Sequence, residues 1–156
     1  MLELGKKAPA FTLADATGKR RTLGEFAGRW VVLYFYPKDD TPGCTREACD
    51  FTAGLASFEA LDATVLGVSP DTPASHAKFA ARHDLKVTLL SDPDHGTLEA
   101  YGAWGEKTLY GKKSVGVIRS TVLVDPKGKV AHHWRKVKVD GHAEAVRARL
   151  AELARG

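Results

Sequence analysis

The chain has 156 residues, 44% hydrophobic and 27% charged, with a formal net charge of +4. That is the composition of a globular protein with enough chain for a substantial core, and it reads as one domain over residues 1–156. It excludes a membrane span, because no apolar run approaches the roughly 18 residues needed. The Lys and Arg residues are interleaved with acidic ones and form no Arg-rich run, so the positive charge reads as a solvated surface and not as a nucleic-acid footprint. The first seven residues, Met1 to Lys7, lack the apolar core of a signal peptide, and there are two cysteines. A monomer with reduced thiols in the cytoplasm is the expectation.

Phe11-Thr12-Leu13 and Arg21-Thr22-Leu23, around Ala16-Thr17-Gly18, predict a hairpin ahead of the main sheet. Trp30 to Tyr36 is short, apolar and rich in Val and aromatics, which predicts a buried strand. It breaks at Pro37-Lys38-Asp39-Asp40, which is turn chemistry. Thr41-Pro42 then reads as a helix start, a hydroxyl at the N-cap followed by proline in the first helical position. This helical stretch runs to about Ala60 with a break at Gly54, and Ala63 to Val68 is a second buried strand. Strand, helix, strand predicts a right-handed unit with parallel strands.

Ser69-Pro70-Asp71-Thr72-Pro73 ends that strand and caps the next helix through Asp71 or Thr72. Val87 to Leu90 predicts a short strand and Asp94 to Tyr101 a short helix. Ser120 to Val124 and Val130 to Trp134 predict a hairpin across Asp125-Pro126-Lys127-Gly128, with Pro second and Gly fourth in the turn. Val146, Leu150 and Leu153 mark the apolar face of a closing helix. A βαβ half joined to a ββα half is a thioredoxin-like α/β fold, a central mixed sheet flanked by helices. Trp104 and Tyr110 are expected to be packing groups.

Both cysteines, Cys44 and Cys49, fall in the helix that follows the first core strand, where open α/β sheets bind ligands. A helix N-terminus carries partial positive charge and unpaired N–H groups, which favour a thiolate. Cys44, near the third helical position, is within reach of that field, whereas Cys49 is past the first turn. The asymmetry marks one cysteine as a nucleophile and the other as its helper. On an ideal helix, residues five apart have Cα atoms about 8.7 Å apart, whereas a disulfide needs roughly 4.4–6.8 Å. A static disulfide on an intact helix is therefore not expected. Two buried core cysteines are the plainer reading of the same residues. Zinc would need two further ligands, and the adjacent His132 and His133 point to opposite faces of a strand. A thioredoxin-type exchange site would have two residues between its cysteines, not four.

The segment Phe35-Tyr36-Pro37-Lys38-Asp39-Asp40-Thr41-Pro42-Gly43-Cys44-Thr45-Arg46-Glu47-Ala48-Cys49 resembles the active-site segment of the peroxiredoxins, in particular the Q-type or bacterioferritin comigratory protein branch. The likeness continues through Tyr101 to Lys107, Arg119-Ser120-Thr121 and Trp134 to Val137, and covers essentially the whole chain. It implies the thioredoxin-like fold, no metal and no organic cofactor. It further implies that Cys44 attacks a hydroperoxide and becomes a sulfenic acid. Cys49 then resolves it to a disulfide, and thioredoxin or a similar dithiol reduces that bond. Thr41 and Arg119 match the family's substrate-side residues, and Pro37 the residue that shields the thiolate. Thr41 as a plain helix cap and Arg119 as an ordinary ion-pair partner are the simpler readings.

Acidity alone cannot carry such a reaction. Lowering a thiol pKa from about 8.5 to about 6 raises the thiolate fraction at pH 7 roughly thirtyfold. Intrinsic nucleophilicity falls about tenfold in exchange, leaving a gain of about threefold against the roughly millionfold of a modest enzyme. Stabilisation of charge on the breaking O–O bond must supply the rest, from Thr41, Arg119 and the backbone N–H groups near Gly43 and Cys44. A thiol–disulfide oxidoreductase acting on proteins, or a redox-switched binding module, are the other functions this cysteine pair allows.

Overall fold

A computed structural model of the chain describes residues 2–156. The strands are β1 (Thr12–Asp15), β2 (Arg20–Thr22), β3 (Trp30–Phe35), β4 (Ala63–Ser69), β5 (Thr88–Ser91), β6 (Trp104–Leu109), β7 (Lys112–Val117), β8 (Ser120–Val124) and β9 (Val130–Trp134). The helices are α1 (Pro42–Ala53), α2 (Leu55–Ala60), α3 (Pro73–His83), α4 (Gly96–Ala100) and α5 (His142–Arg155). Seven strands form one mixed sheet in the order β2-β1-β5-β4-β3-β8-β9, with β3, β4 and β5 parallel and the other neighbours antiparallel. This is the expected thioredoxin-like architecture. The N-terminal hairpin is not a separate piece, since β1 pairs with β5 and extends the sheet.

Alternation along β3 sorts the core into two layers. Leu33 and Phe35 face one cluster with Leu66, Val68, Leu98 and Tyr101. Val32, Tyr34 and Tyr36 face the other, where α1, α2, α3 and α5 contribute Phe51, Phe58, Phe79 and Val146. A strand buried on both faces reads as a continuous apolar run, and that is why Trp30 to Tyr36 stands out in the sequence. Gly54 interrupts the helical stretch where expected, ending α1 and starting α2. Thr72 caps α3 by accepting a hydrogen bond from the Ser75 N–H.

The 3-10 turn at Leu23–Phe26 and the β6–β7 hairpin lie outside the expectations. β6 and β7 form a separate two-stranded hairpin through Tyr110-Gly111, both at positive φ (53° and 77°). Two left-handed residues between antiparallel strands make the turn that best matches strand twist. Tyr110 at its tip is 96% exposed and is not a packing group, because the turn carries it away from the sheet. Trp104 does pack, half-buried against the core and stacked on the His95 ring at 3.6 Å between centroids.

Candidate active site

The parallel pairing of β3 with β4 continues one residue past the strand, the Tyr36 N–H donating to the Val68 carbonyl. The chain then leaves the sheet through Pro37 to Asp40 and enters α1 at Thr41, with Pro42 in the first helical position. Cys44 is thereby set in the first turn of α1, directly above the end of the central strand, and is buried. Thr45 makes the first helical bond, to the Thr41 carbonyl. The N–H groups of Gly43 and Cys44 precede it and have no carbonyl in the helix to reach.

Thr41 occupies the N-cap, but its hydroxyl does not cap. It turns back and donates to the Lys38 carbonyl at 2.8 Å. The expectation of a hydroxyl cap is corrected on that point. The proton is committed to the turn, so Thr41 Oγ1 presents lone pairs to its surroundings.

Arg119 immediately precedes β8, whose first residue Ser120 pairs with Phe35 at the end of β3. The antiparallel register thus delivers the guanidinium to the same sheet end as Cys44. Nη2 donates to Cys44 Sγ at 3.1 Å and Nη1 to Glu47 Oε1 at 2.5 Å. The arginine side chain is 18% exposed and that of Glu47 is 1% exposed. Gly43 leaves room for this approach, since a Cβ there would lie 3.3 Å from Nη2.

Glu47 was not among the residues expected from sequence. It lies three positions after Cys44, and on a helix such neighbours share a face. That spacing is the signal that could have found it. Burial pushes its carboxyl up to about 7 against the opposing pull of Arg119, and Oε2 has no hydrogen-bond partner among the described residues. Arg119 is held above the usual guanidinium range, its burial outweighed by the charges of Glu47 and Cys44 and the hydrogen bonds to both. Behind the pair, Tyr34 is stacked on Phe51 at 4.7 Å between centroids. Burial, with Glu47 and Cys44 nearby, raises its hydroxyl well above the ordinary range.

The start of α5 closes the far side. His142 Nε2 lies 2.8 Å from Thr121 Oγ1, and the ring meets Phe51 and Trp134 edge-on. Burial, aided by the Arg119 charge, pushes this imidazole down to about 4. Cys49 lies further along α1, half-buried against the same apolar cluster, and both cysteines are free. Pro37 is half-buried at the entrance to the turn. Cys44, Thr41, Pro37 and Arg119 thus gather at one end of the sheet.

A buried thiol at a helix start, touched by an arginine, on a thioredoxin-like sheet defines a thiol-based redox enzyme. Residues 4–133 match the AhpC/TSA family. The chain is 47% identical over 146 residues to the peroxiredoxin Bcp of Bacillus subtilis, covering 93% of each. It is 45% identical over 155 residues to the peroxiredoxin Bcp of Xanthomonas campestris, covering 99% of this chain and 97% of that one. Among solved structures it superposes on the Xanthomonas campestris bacterioferritin comigratory protein with a TM-score of 0.90 at 45% identity, covering 99% and 98% of the two chains. That structure was described in connection with alkyl peroxide reduction. A mutant of Xylella fastidiosa PrxQ gives a TM-score of 0.93 at 38% identity, with the same coverage. The chain belongs to the AhpC/TSA family, within its Bcp/PrxQ peroxiredoxins, and is a thiol peroxidase.

Proposed function

We propose that Cys44 is the peroxide-attacking cysteine of a hydrogen peroxide and organic hydroperoxide reductase. The observation that supports this best is the 3.1 Å hydrogen bond from Arg119 Nη2 to a buried Sγ in the first turn of α1. The thiolate attacks one oxygen of the hydroperoxide, the O–O bond breaks, and the departing oxygen takes a proton to leave as water or alcohol. Cys44 is left as a sulfenic acid. Arg119 and the free N–H groups of Gly43 and Cys44 are aimed where negative charge builds. Thr41, with its own proton on Lys38, accepts the hydroperoxide O–H and orients it. Pro37 shields the thiolate from bulk water.

Cys49 then attacks the Cys44 sulfenic sulfur, expelling water and forming a Cys44–Cys49 disulfide, which thioredoxin or a similar dithiol reduces. In this reading residues 1–156 act as a single domain, a monomer working in the cytoplasm. The test is peroxide consumption coupled to NADPH through thioredoxin and its reductase. Wild type turns over, Cys44→Ser consumes none, and Cys49→Ser consumes one equivalent per chain in a single turnover. Equal single-turnover consumption by Cys44→Ser would reverse the two roles. Insulin reduction without peroxide turnover would point instead to a thiol–disulfide oxidoreductase. Oxidation-dependent partner binding without turnover would point to a redox-switched module.

A further inference from the structure

The turn that carries Pro37 and Thr41 is tied down from beneath by a buried polar network that the chemistry above does not use. Asp39, in the middle of the turn, accepts at Oδ1 from the Tyr36 hydroxyl at 2.6 Å. At Oδ2 it accepts from Ser75 Oγ at 2.8 Å and meets His76 Nδ1 at 2.7 Å. The other ring nitrogen of His76 lies 3.0 Å from the Leu90 carbonyl, so both nitrogens face acceptors. A carbonyl can only accept. Asp39 is held below the usual carboxylate range, its burial outweighed by His76, Tyr36 and Ser75, so it too only accepts. The fully buried His76 ring thus bridges the Asp39 carboxylate and the Leu90 carbonyl.

The backbone is held as well. The Asp39 N–H donates to Asp71 Oδ2 at 2.8 Å, and the Ser69 hydroxyl donates to the same oxygen at 2.7 Å. Asp39, Asp71 and His76 bring three possible metal-ligand atoms within 4.8 Å of one another. Each of the three already has hydrogen-bond partners, however: Asp39 has Tyr36, Ser75 and His76, Asp71 has Ser69 and the Asp39 N–H, and His76 has Asp39 and the Leu90 carbonyl, so the cluster reads as a hydrogen-bond network. The next residue, Asp40, takes a left-handed backbone (φ 60°) and is bound by Arg82 at 2.9 Å and His83 at 2.7 Å at the far end of α3. Helix α3 therefore grips two successive residues of the turn, one inside the core and one at the surface.

We propose that Asp39 and His76 are positioning residues, a buried carboxylate–imidazole pair that fixes the turn and with it the placement of Thr41 and Pro37 over Cys44. The proposal rests on Cys44 as the peroxide-attacking thiol. Half of that constellation, Cys44 and Arg119, is set by α1 and β8. The other half hangs on a turn with no regular backbone pairing of its own, and reacting groups misplaced by an ångström can cost about a hundredfold. Losing either partner leaves the other's buried polar atoms without a partner, so the pair favours the one arrangement that joins them.

The test separates the placement of Thr41 from the reactivity of the thiolate. In full-length protein, the rate of Cys44 oxidation by hydrogen peroxide is followed by stopped-flow tryptophan fluorescence. The rate of Cys44 alkylation by iodoacetamide, which needs no peroxide orientation, is measured beside it. His76→Leu and Asp39→Leu should each lose on the order of 10- to 100-fold in the peroxide rate, with alkylation little changed. The double variant should lose no more than the worse single one, since both break the same clamp. His76→Asn keeps a donor toward Asp39 and should recover part of the rate, whereas His76→Gln, reaching toward Leu90, should not. Should the leucine variants fail to fold, the Asn and Gln pair and Ser75→Ala, with a severalfold loss, decide the matter. Peroxide and alkylation rates falling together, or single losses that multiply in the double variant, would overturn the clamp. Peroxide consumption by Cys44→Ser at the wild-type rate would instead overturn the reading of Cys44 and leave the clamp's geometry standing.

Discussion

Arg119 touches the thiol with one nitrogen and the Glu47 carboxylate with the other, so it is aimed by a second residue as well as aiming at the sulfur. If its main task is to hold charge as the O–O bond breaks, its removal must cost more than the thiolate it helps to form. Arg119→Ala should slow peroxide oxidation of Cys44 by about 100-fold or more, the usual cost of one lost transition-state donor. Thiolate absorbance against pH, read on the same protein, should account for only a small part of that. A loss no larger than the change in thiolate fraction would reduce Arg119 to an electrostatic tuner. Arg119→Lys should recover little, since one ammonium cannot reach Sγ and Oε1 together as the planar guanidinium does. At this scale the sequence was legible where chemistry demands a residue type: a cysteine at a helix start, an arginine, a turn proline. It was less so for Asp39 and His76, 37 positions apart, whose meeting depends on the packing of α3 against β5. No local pattern announces that contact.

Among the elements, α1 bears the greatest demand, because it holds both cysteines on one regular helix and buries the first. A disulfide between them cannot form on that helix, the Cα separation of about 8.7 Å being too long. Oxidation should therefore unwind the first turns of α1. Amide hydrogen exchange on reduced and oxidised protein, with the disulfide mapped by peptide analysis, should show protection from Thr45 to Phe51 collapsing on oxidation and returning on reduction. A mapped disulfide with protection intact would sink the idea. The floor beneath α1 has its own constraint. Tyr34 lies across Gly67, its cross-strand partner on β4, where an added Cβ would meet the ring at 2.6 Å. Tyr34 cannot retreat, being stacked on Tyr36 and Phe51. Gly67→Ala should cost about 1–3 kcal/mol in urea unfolding, as overpacking of a filled core does. Buried strands and the helix starts at Pro42 and Pro73 were readable because burial and an N-terminal proline leave local signatures. The β6–β7 hairpin was not, since Trp104-Gly105-Glu106-Lys107-Thr108-Leu109 shows no clean alternation and pairs with no strand of the main sheet.

For the molecule as a whole, two buried groups near Arg119 titrate in opposite senses over the same pH range. Glu47 is raised from 4.5 to about 7. A group with a raised folded pKa adds stability that is complete below its unfolded value and is lost as pH climbs through the folded one. Its contribution therefore fades from about pH 4.5 to about pH 7. His142 is lowered from 6.5 to about 4, so its contribution is complete above about 6.5 and fades as pH falls toward about 4. Each shift corresponds to on the order of 3 kcal/mol, and the two slopes nearly cancel. Glu47→Gln removes one slope and should leave a protein that weakens, relative to the Glu47→Gln/His142→Gln double variant, as pH drops from about 6.5 to about 4. His142→Gln should do the reverse, gaining stability on the same scale as pH drops from about 7 to about 4.5. Urea unfolding of the four proteins at half-unit pH steps reads both slopes directly, the double variant carrying the background of the remaining carboxylates. Parallel curves for both single variants would mean that neither group is held away from its ordinary range. Opposed slopes would show that the fold around Arg119 holds one carboxyl above and one imidazole below their ordinary ranges.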